Sequence, residues 1–172
     1  TRIMDTAIHE WSMFIPPDEL GRILDRHGMD VVEVAGLAPR ALCLGNLFRD
    51  QLDRYGELEL VAERWRGLVA ELDPDTWVVA NADDPQVGDL ARERRGILFG
   101  VDDPRHGSSG LQHAADSMWC VRCGTPYEYA AAYVGHLGNY HCPACGHARP
   151  PLDLAARDIE LDGLESVSFD LA

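Results

Sequence analysis

The sequence predicts an α/β protein: a partial parallel sheet flanked by helices, with a small metal-binding ribbon inserted in it and a C-terminal β-hairpin. Three observations predict this fold class. Short apolar runs of strand length alternate with segments whose apolar residues recur at helical spacing. Two Cys-x2-Cys motifs lie in the C-terminal half. Apolar and polar residues alternate on both sides of Asp162-Gly163, which is typical of a hairpin.

The N-terminal part is predicted to hold one helix and two strands. Pro16-Pro17-Asp18 begins the helix, because a proline in the first turn needs no backbone donor, and Gly28 ends it. Four side chains share one face of this helix: Leu20, Ile23, Leu24 and His27. The apolar runs at 30–34 and 41–44 have the length of strands.

The middle of the chain continues the alternation of helices and strands. Apolar residues recur at helical spacing from Phe48 to Leu72, and Gly56 is expected to divide this stretch into two helices. The pattern then predicts a buried strand at 77–80, a helix from the cap Asp83-Asp84-Pro85 to about Arg95, a strand at 96–100, and hairpin strands at 158–161 and 166–171.

These elements divide the chain into four predicted parts. Residues 1–36 form an N-terminal segment of uncertain origin, and 37–117 form the central α/β part. Residues 118–150 form the inserted ribbon, which the Gly-, Ser- and Asp-rich stretch 102–117 links to the sheet. Residues 151–172 return to the central part as strands.

The charged residues narrow the function. The chain has 15 basic and 29 acidic residues and a net charge of -14, and every basic residue is arginine. Without lysine it has neither a G-x-x-x-x-G-K-[ST] phosphate loop nor a Schiff-base amine. The acidic balance argues against nucleic acid as the partner, because phosphate affinity comes from clustered basic residues. No apolar run reaches about 18 residues, so we expect a cytoplasmic protein without a transmembrane segment or signal peptide.

The cysteines are the sharpest local signal. Cys120 and Cys123 form one pair, Cys142 and Cys145 form the other, and residues 124–141 separate them, which is the spacing of a structural zinc site. A glycine follows each pair, as a tight turn that adopts positive φ requires. Iron in a rubredoxin-like site, two disulfides, or four reduced core thiols are the alternatives. Nearby His136, His141 and His147 are expected at the surface or behind the ligands.

Polar residues follow two of the predicted strands, where an open α/β sheet places its ligands. Asn46 opens a polar stretch after strand 41–44, and Asn81-Ala82-Asp83-Asp84 follows strand 77–80. An Asn amide can pair with the edge of a purine, and carboxylates can bind a ribose hydroxyl or a magnesium-bound water. Simple capping of the following helices is the alternative.

Several long motifs occur in a characteristic order. They are Asn46-Leu-Phe-Arg-Asp-Gln-Leu-Asp-Arg-Tyr-Gly-Glu57, Asn81-Ala-Asp-Asp-Pro85, His113-Ala-Ala-Asp-Ser117, Cys120-x2-Cys123-Gly, Gly135-His-Leu-Gly-x-Tyr140 and Cys142-Pro-x-Cys145-Gly. Together they resemble the MurT family, the Mur-ligase-like subunits of lipid II isoglutaminyl synthase, over about 39–161. The resemblance implies a partial Mur-ligase-type central sheet with an inserted four-cysteine zinc ribbon.

The resemblance also implies a function. In this family a GatD-like glutaminase supplies ammonia, and the pair uses Mg-ATP to amidate the α-carboxyl of D-isoglutamate in the lipid II stem peptide, a step of peptidoglycan synthesis. Asn81 matches the Asn that meets adenine, and Asp83 belongs to the same nucleotide-proximal turn. Glu33 and Asp50 match positions in the vicinity of magnesium. The four cysteines match the metal ligands, and no residue is assigned as catalytic.

The chain also departs from the family pattern. Gln51 stands where relatives of the wider ligase class have histidine, and the stretch between Glu33 and Pro39 is shorter than in the family. The sequence contains neither the glycine-rich phosphate loop nor the C-terminal ligase domain. We therefore expect an incomplete carbon–nitrogen ligase subunit that is inactive by itself. A zinc-ribbon module that binds a protein partner without catalysis is the alternative, with Trp119, Tyr127, Tyr129 and Tyr140 either exposed for binding or packed over the metal.

Overall fold

The computed structural model describes residues 22–23, 25–27, 39–48, 58–109, 117–163 and 165–172. The chain forms two compact units, Thr1–Ala38 and Pro39–Ala172. In the first unit the described residues are helical at Arg22, Ile23, Asp25 and Arg26, within the predicted helix. The predicted strand 30–34 lies outside the described residues.

The described elements of the second unit follow the predicted alternation. In chain order they are β1 (Ala41–Leu44), α1 (Leu58–Glu71), β2 (Trp77–Asn81), α2 (Pro85–Ala91), β3 (Gly96–Val101), a 3-10 turn (Pro104–His106), β4 (Glu128–Val134), β5 (Leu137–His141), β6 (Leu154–Asp162) and β7 (Ser166–Leu171). The central sheet has the order β1-β2-β3-β6-β7. Its first four strands are parallel, and β7 is antiparallel to β6.

Both helices pack on one face of the sheet, because successive right-handed crossovers between neighbouring parallel strands lie on the same side. Leu58, Ala62 and Val69 of α1 and Val87 of α2 share a buried cluster with Val78 and other sheet residues. Alternate side chains of the same strands point to the opposite face, where Trp77 and Phe169 are exposed. The main apolar core therefore lies between the sheet and the two helices.

The helix predicted to reach about Arg95 is shorter, and that part of the prediction was wrong. Helix α2 ends at Ala91. The amide of Val78 donates to the carbonyl of Arg95 at 2.9 Å, so Arg95 already belongs to the pairing of β2 with β3. The chain therefore has to turn between 92 and 95, and the Arg94 guanidinium supports that turn by donating to the carbonyls of Leu72 and Asp73.

The ribbon occupies the connection from β3 to β6, where each of the two preceding connections contains a helix. Strands β4 and β5 form an antiparallel hairpin with Gly135 at positive φ in its turn. The predicted linker is ordered over its described part: the Asp103 side chain caps the 3-10 turn, and Ser108 exchanges backbone hydrogen bonds with Ala132 of β4. The segment that follows β3 is therefore hydrogen-bonded to the ribbon hairpin before the chain reaches the first cysteine.

The C-terminal hairpin is confirmed, but its first strand starts earlier than predicted. Strand β6 begins at Leu154, which pairs in parallel with Phe99 of β3. Strand β6 pairs with β7 on both sides of an irregularity at Asp158, whose φ is 48°. The bulge hides the continuous strand from a pattern of strict alternation.

Among the described residues, no helix has the length and apolar character needed to cross a bilayer.

We expect Gly96→Ala to destabilise the protein by about 3 kcal/mol, because overpacking a site without room forces the backbone to move. A Cβ at Gly96 would lie 1.8 Å from the carbonyl oxygen of Val78, its partner in the first pair of the β2–β3 register. Urea unfolding followed by circular dichroism measures the change. Gly67→Ala is the matched control: no atom lies within 4 Å of its Cβ position, and alanine is favoured by about 1 kcal/mol in a helix. Equal midpoints for Gly96→Ala and the unsubstituted chain would contradict this account of the sheet.

Candidate functional site

The four cysteines of the two predicted knuckles converge on one point. Their sulfur atoms all lie within 4.8 Å of one another. The Sγ atoms of Cys120 and Cys145 are 3.6 Å apart, and those of Cys123 and Cys142 are 3.5 Å apart. Each knuckle closes with a backbone hydrogen bond from the glycine after it: Gly124 donates to Cys120 at 2.8 Å, and Gly146 donates to Cys142 at 3.0 Å. Both glycines adopt positive φ, 71° and 74°, as the sequence pattern predicts.

This arrangement fits a single metal ion. A tetrahedral ion with metal–sulfur bonds of about 2.3 Å holds its sulfurs about 3.8 Å apart. A disulfide would bring two sulfurs to about 2.05 Å, and all four cysteines are free. Hydrogen bonds from Thr125 lower the pKa of Cys123 to about 6. The cluster can therefore hold a metal ion, and four sulfur ligands leave no open position for a catalytic water.

The aromatic residues around the knuckles mostly pack inward. Tyr127 and Tyr140 form a small buried cluster with Cys120 and Cys142, and Tyr129 packs against it. The Tyr127 hydroxyl accepts from the amide of Val121 and lies 2.8 Å from Nδ1 of His147. Of the four aromatics considered for partner binding, Trp119 is the one that is exposed, at 58%. The three tyrosines thus build the interior of the ribbon.

The three histidines have different environments. His141 is exposed and pairs with Glu128 at 3.1 Å, as expected of a surface group. His136 and His147 are buried, and neither is a cluster ligand. Nε2 of His147 lies 3.2 Å from Asp89 of α2, and burial lowers the pKa of this imidazole. Of the two expected positions, at the surface or behind the ligands, the surface is therefore excluded for these two histidines, which lie against the α/β part.

The polar residues after β1 and β2 meet at one edge of the sheet. The Asn81 side-chain amide donates to Oδ1 of Asn46 at 2.6 Å, and the Asp83 backbone amide donates to Oδ1 of Asn81 at 3.0 Å. Asn81 also lines a cavity of about 330 Å³ whose other walls include Phe99, Val101 and Phe169. The ends of these two strands thus lie next to each other, and Asn81 lines an apolar hollow there.

Asp84 is the N-cap of α2, as the capping alternative predicts. One carboxylate oxygen accepts from the amides of Gln86 and Val87 at 2.9 and 3.2 Å. The other accepts from the amide of Leu47 at 2.7 Å and lies 3.3 Å from Nε2 of His136. The side chain is fully buried. It therefore joins the segment after β1, the start of α2 and the ribbon hairpin at one point.

Asp83 is buried beside an arginine that the sequence reading missed. Its carboxylate accepts from Nη1 of Arg149 at 2.7 Å and from the amide of Val101 at 2.7 Å. Burial raises the pKa of Asp83, and the hydrogen bonds from Val101 and Arg149 oppose that rise. Sequence alone offers one weak signal: Arg149 is the single basic residue between Arg122 and Arg157, and it closely follows the second knuckle. The nucleotide role predicted for Asp83 stays a prediction.

The remaining predicted site residues, Glu33 and Asp50, lie outside the described residues. Their expected position near magnesium therefore stays a prediction.

Comparisons with known proteins agree with this architecture. No family model matches the chain. The lipid II isoglutaminyl synthase (glutamine-hydrolyzing) subunit MurT of Staphylococcus aureus strain COL is 29% identical over 116 residues, which are 66% of this chain and 25% of that protein. The same subunit of Streptococcus pneumoniae is 26% identical over 117 residues, 68% of this chain and 26% of that protein. The chain thus matches about a quarter of the length of these relatives.

A solved structure shares the fold. A pseudomurein peptide ligase type C from Methanothermus fervidus aligns with 90% of this chain and 29% of its own, with a TM-score of 0.58 and 22% sequence identity. This likeness, the parallel sheet and the four-cysteine cluster confirm the predicted fold class, a partial Mur-ligase-type central sheet with an inserted ribbon and a terminal hairpin. Together with the sequence matches, they confirm the resemblance predicted from the motifs: over about two thirds of its length, this chain is similar to the MurT subunits of lipid II isoglutaminyl synthase.

Proposed function

We propose that the chain acts as part of a MurT-like subunit that amidates the α-carboxyl of D-isoglutamate in the lipid II stem peptide, with ATP as energy source and a GatD-like glutaminase as ammonia donor. The observation that carries the proposal is the similarity to MurT subunits over about two thirds of the chain. The peptide-ligase fold supports it. Because the proposed reaction consumes ATP, we propose that the protein acts in the cytoplasm.

The proposed chemistry is carboxyl activation followed by amide formation. The α-carboxylate attacks the γ-phosphoryl group of ATP, which gives an acyl phosphate and ADP. Ammonia then attacks the acyl carbon, phosphate leaves with the C–O bonding electrons, and the ammonium proton passes to solvent or base. Magnesium would offset the charge of the phosphates, and we propose Glu33 and Asp50 for its vicinity.

Asn81 and Asp83 are proposed for the nucleotide side of this reaction. The Asn81 amide already uses one donor on Asn46 and accepts from the Asp83 amide, which leaves a second N–H and a lone pair for an adenine edge. The apolar cavity beside it has walls suited to a planar base. Asp83 contributes by fixing the Asn81 carbonyl through its backbone amide, since its carboxylate is bonded to Arg149 and Val101.

We propose zinc as the ion of the cysteine cluster, with a structural role. Four thiolates in tetrahedral geometry suit zinc, and iron is the alternative that the same ligands allow. The ribbon interior consists of two cysteines and a few tyrosines, which is too small a core to hold two knuckles without a metal. We propose the same division of the chain that the sequence predicts: an N-terminal segment at 1–36, the central α/β part at 37–117, the ribbon at 118–150 and the return strands at 151–172.

The metal proposal predicts one zinc ion per purified chain. Elemental analysis by mass spectrometry measures it, and iron in place of zinc would favour the rubredoxin-like alternative. Cys142→Ala is expected to lose the ion, because a buried ligand is removed from a closed site. Cys43→Ala is the matched control, since Cys43 is exposed and lies outside the cluster, and it should keep full metal content. Equal metal content in both variants would rule out the cluster as the site.

The amidation proposal predicts a change in the cell wall. Depleting this chain in its native cells should leave stem peptides with a free α-carboxyl at D-isoglutamate, and re-expression should restore the amide. Mass spectrometry of digested peptidoglycan distinguishes the carboxyl from the amide. An unchanged degree of amidation after depletion would refute the proposed reaction.

The role of Asn81 predicts a loss of nucleotide affinity on substitution. Asn81→Ala should weaken Mg-ATP binding about tenfold, the cost of roughly one lost hydrogen bond in a preformed site. Isothermal titration of the full chain measures it, with binding expected to be weak because the sequence has no lysine-containing phosphate loop. Asn139→Ala, at an exposed position of β5, is the matched control. Equal ATP affinity of the two variants would exclude Asn81 from the nucleotide site.

A further inference from the structure

The turn that carries Asn81 rests directly on the ribbon. The carboxylate of Asp83 accepts from Arg149, and its backbone carbonyl accepts from the amide of Gly138 at 2.9 Å. The next residue, Asp84, faces Nε2 of His136. Three contacts from the ribbon side thus converge on two consecutive residues of a turn that belongs to the central sheet.

Arg149 is held in place by the second knuckle. Its backbone amide donates to the carbonyl of Tyr140 at 2.9 Å, and the amide of Cys142 donates to the carbonyl of His147 at 2.7 Å. These two bonds pair the chain on either side of the Cys142–Cys145 knuckle. The Arg149 side chain is 9% exposed and also donates to the carbonyl of Val101, so its direction is fixed at both ends.

His136 is held by the hairpin and by an aromatic neighbour. It follows Gly135, whose φ of 56° sets the turn between β4 and β5. The ring of Phe48, in the segment after β1, packs against the imidazole with centroids 5.0 Å apart. Alanine at Gly138 would place a Cβ 2.2 Å from the carbonyl oxygen of Ala131, so the two hairpin strands have little room to rearrange. The hairpin therefore presents both His136 and the Gly138 amide to the same turn.

The order of the ribbon depends on the ion. Without a metal, the four thiol groups, 3.5–3.6 Å apart at their closest, have no covalent bond between them, and the cluster around Tyr140 is the ribbon's own core. Release of the knuckles would free Arg149. The Asp83 carboxylate, whose side chain is 4% exposed, would then lack its cation, and a buried unpaired charge is strongly unfavourable.

We propose that Arg149 and His136 are positioning residues that couple metal occupancy of the ribbon to the geometry of the Asn81–Asp84 turn. The metal site then does more than stabilise the ribbon, because its occupancy determines whether the Asn81 amide is held in the position that it has in this structure. The identity of the ligand that this amide meets rests on the proposed function. The coupling itself does not depend on the identity of that ligand, because every contact that carries it lies within the part of the chain that the structure describes.

Hydrogen–deuterium exchange of the full chain tests the coupling without a nucleotide. Chelation should release the ribbon amides and, with them, raise exchange about tenfold or more at the amides of Asp83, Val101 and Gly138. Amides of α1 serve as the internal reference and should change less than about twofold. Rapid exchange of the knuckle amides with an unchanged Asn81–Asp84 turn would overturn the inference.

Substitutions separate the ion from the residue that transmits its effect. Arg149→Met should keep the metal and the protected knuckle amides, but it should raise exchange at the amides of Asp83, Val101 and Gly138 as chelation does. Arg149→Lys should recover part of the protection at these three amides because it restores the charge with fewer donors. Arg157→Met is the matched control, since it breaks an exposed arginine–carboxylate pair with Asp102. If Arg149→Met also raises exchange at the amides of α1, the chain has unfolded. The exchange of Arg149→Lys and of the chelated protein then shows whether the ribbon and the Asn81–Asp84 turn are coupled. Protection equal to the unsubstituted chain in Arg149→Met would overturn the inference.

Nucleotide titration distinguishes this inference from the proposed function. If the chain binds Mg-ATP, Arg149→Met should lower the affinity about tenfold with Asn81 itself intact, while Arg157→Met should not. If no variant binds ATP, the nucleotide role of Asn81 fails, and the exchange measurements still decide whether ribbon and turn are coupled. Unchanged ATP affinity in Arg149→Met would count against the coupling.

Discussion

The carboxylates of Asp83 and Asp84 impose the strictest requirement on this structure. Each is buried, and a buried carboxylate is tolerated only where donors surround it. Asp83 takes its donors from Arg149 and Val101, and Asp84 takes its donors from the segment after β1, the first turn of α2 and the ribbon hairpin. Sheet, helix and ribbon therefore have to assemble together, because removal of any one leaves a charge without its partners.

The ribbon contacts extend beyond these two residues along α2. Asp89 pairs with His147 of the second knuckle and with Arg122 of the first, and the Arg92 guanidinium donates to the carbonyl of Ala148. Close approach is possible because α2 has a glycine at position 88, where a Cβ would lie 3.0 Å from the Tyr140 hydroxyl. The ribbon thus occupies the place beside α2 where a neighbouring crossover helix would pack. Between two helices apolar ridges make most of the contact, whereas here many of the contacts are polar.

The elements that sequence predicts well are those set by local chemistry. Two cysteine pairs with a following glycine define the knuckles, and short apolar runs define β1, β2 and β3. Capping by Asp84 follows from its place before Pro85. The partners that sequence does not reveal are distant ones: His136 is 52 residues from Asp84, and Arg149 is 66 from Asp83. No periodicity marks such pairs, so burial of two histidines and one arginine appears only in three dimensions. The end of α2 was missed for a similar reason, since pairing of Arg95 with β2 overrides helix propensity.

The long separation between Asp83 and Arg149 has a consequence for how the chain assembles during synthesis. Strands β1 to β3 and both helices emerge from the ribosome well before the second knuckle, so Asp83 waits with its carboxylate solvated until the residues around position 149 appear. Closing a loop of this length has a larger entropic cost than forming a hairpin, and such long-range contacts form late. When the metal is scarce, the chain would therefore stop at a partly folded stage, in which β1 to β3 are paired but the ribbon has not packed against them.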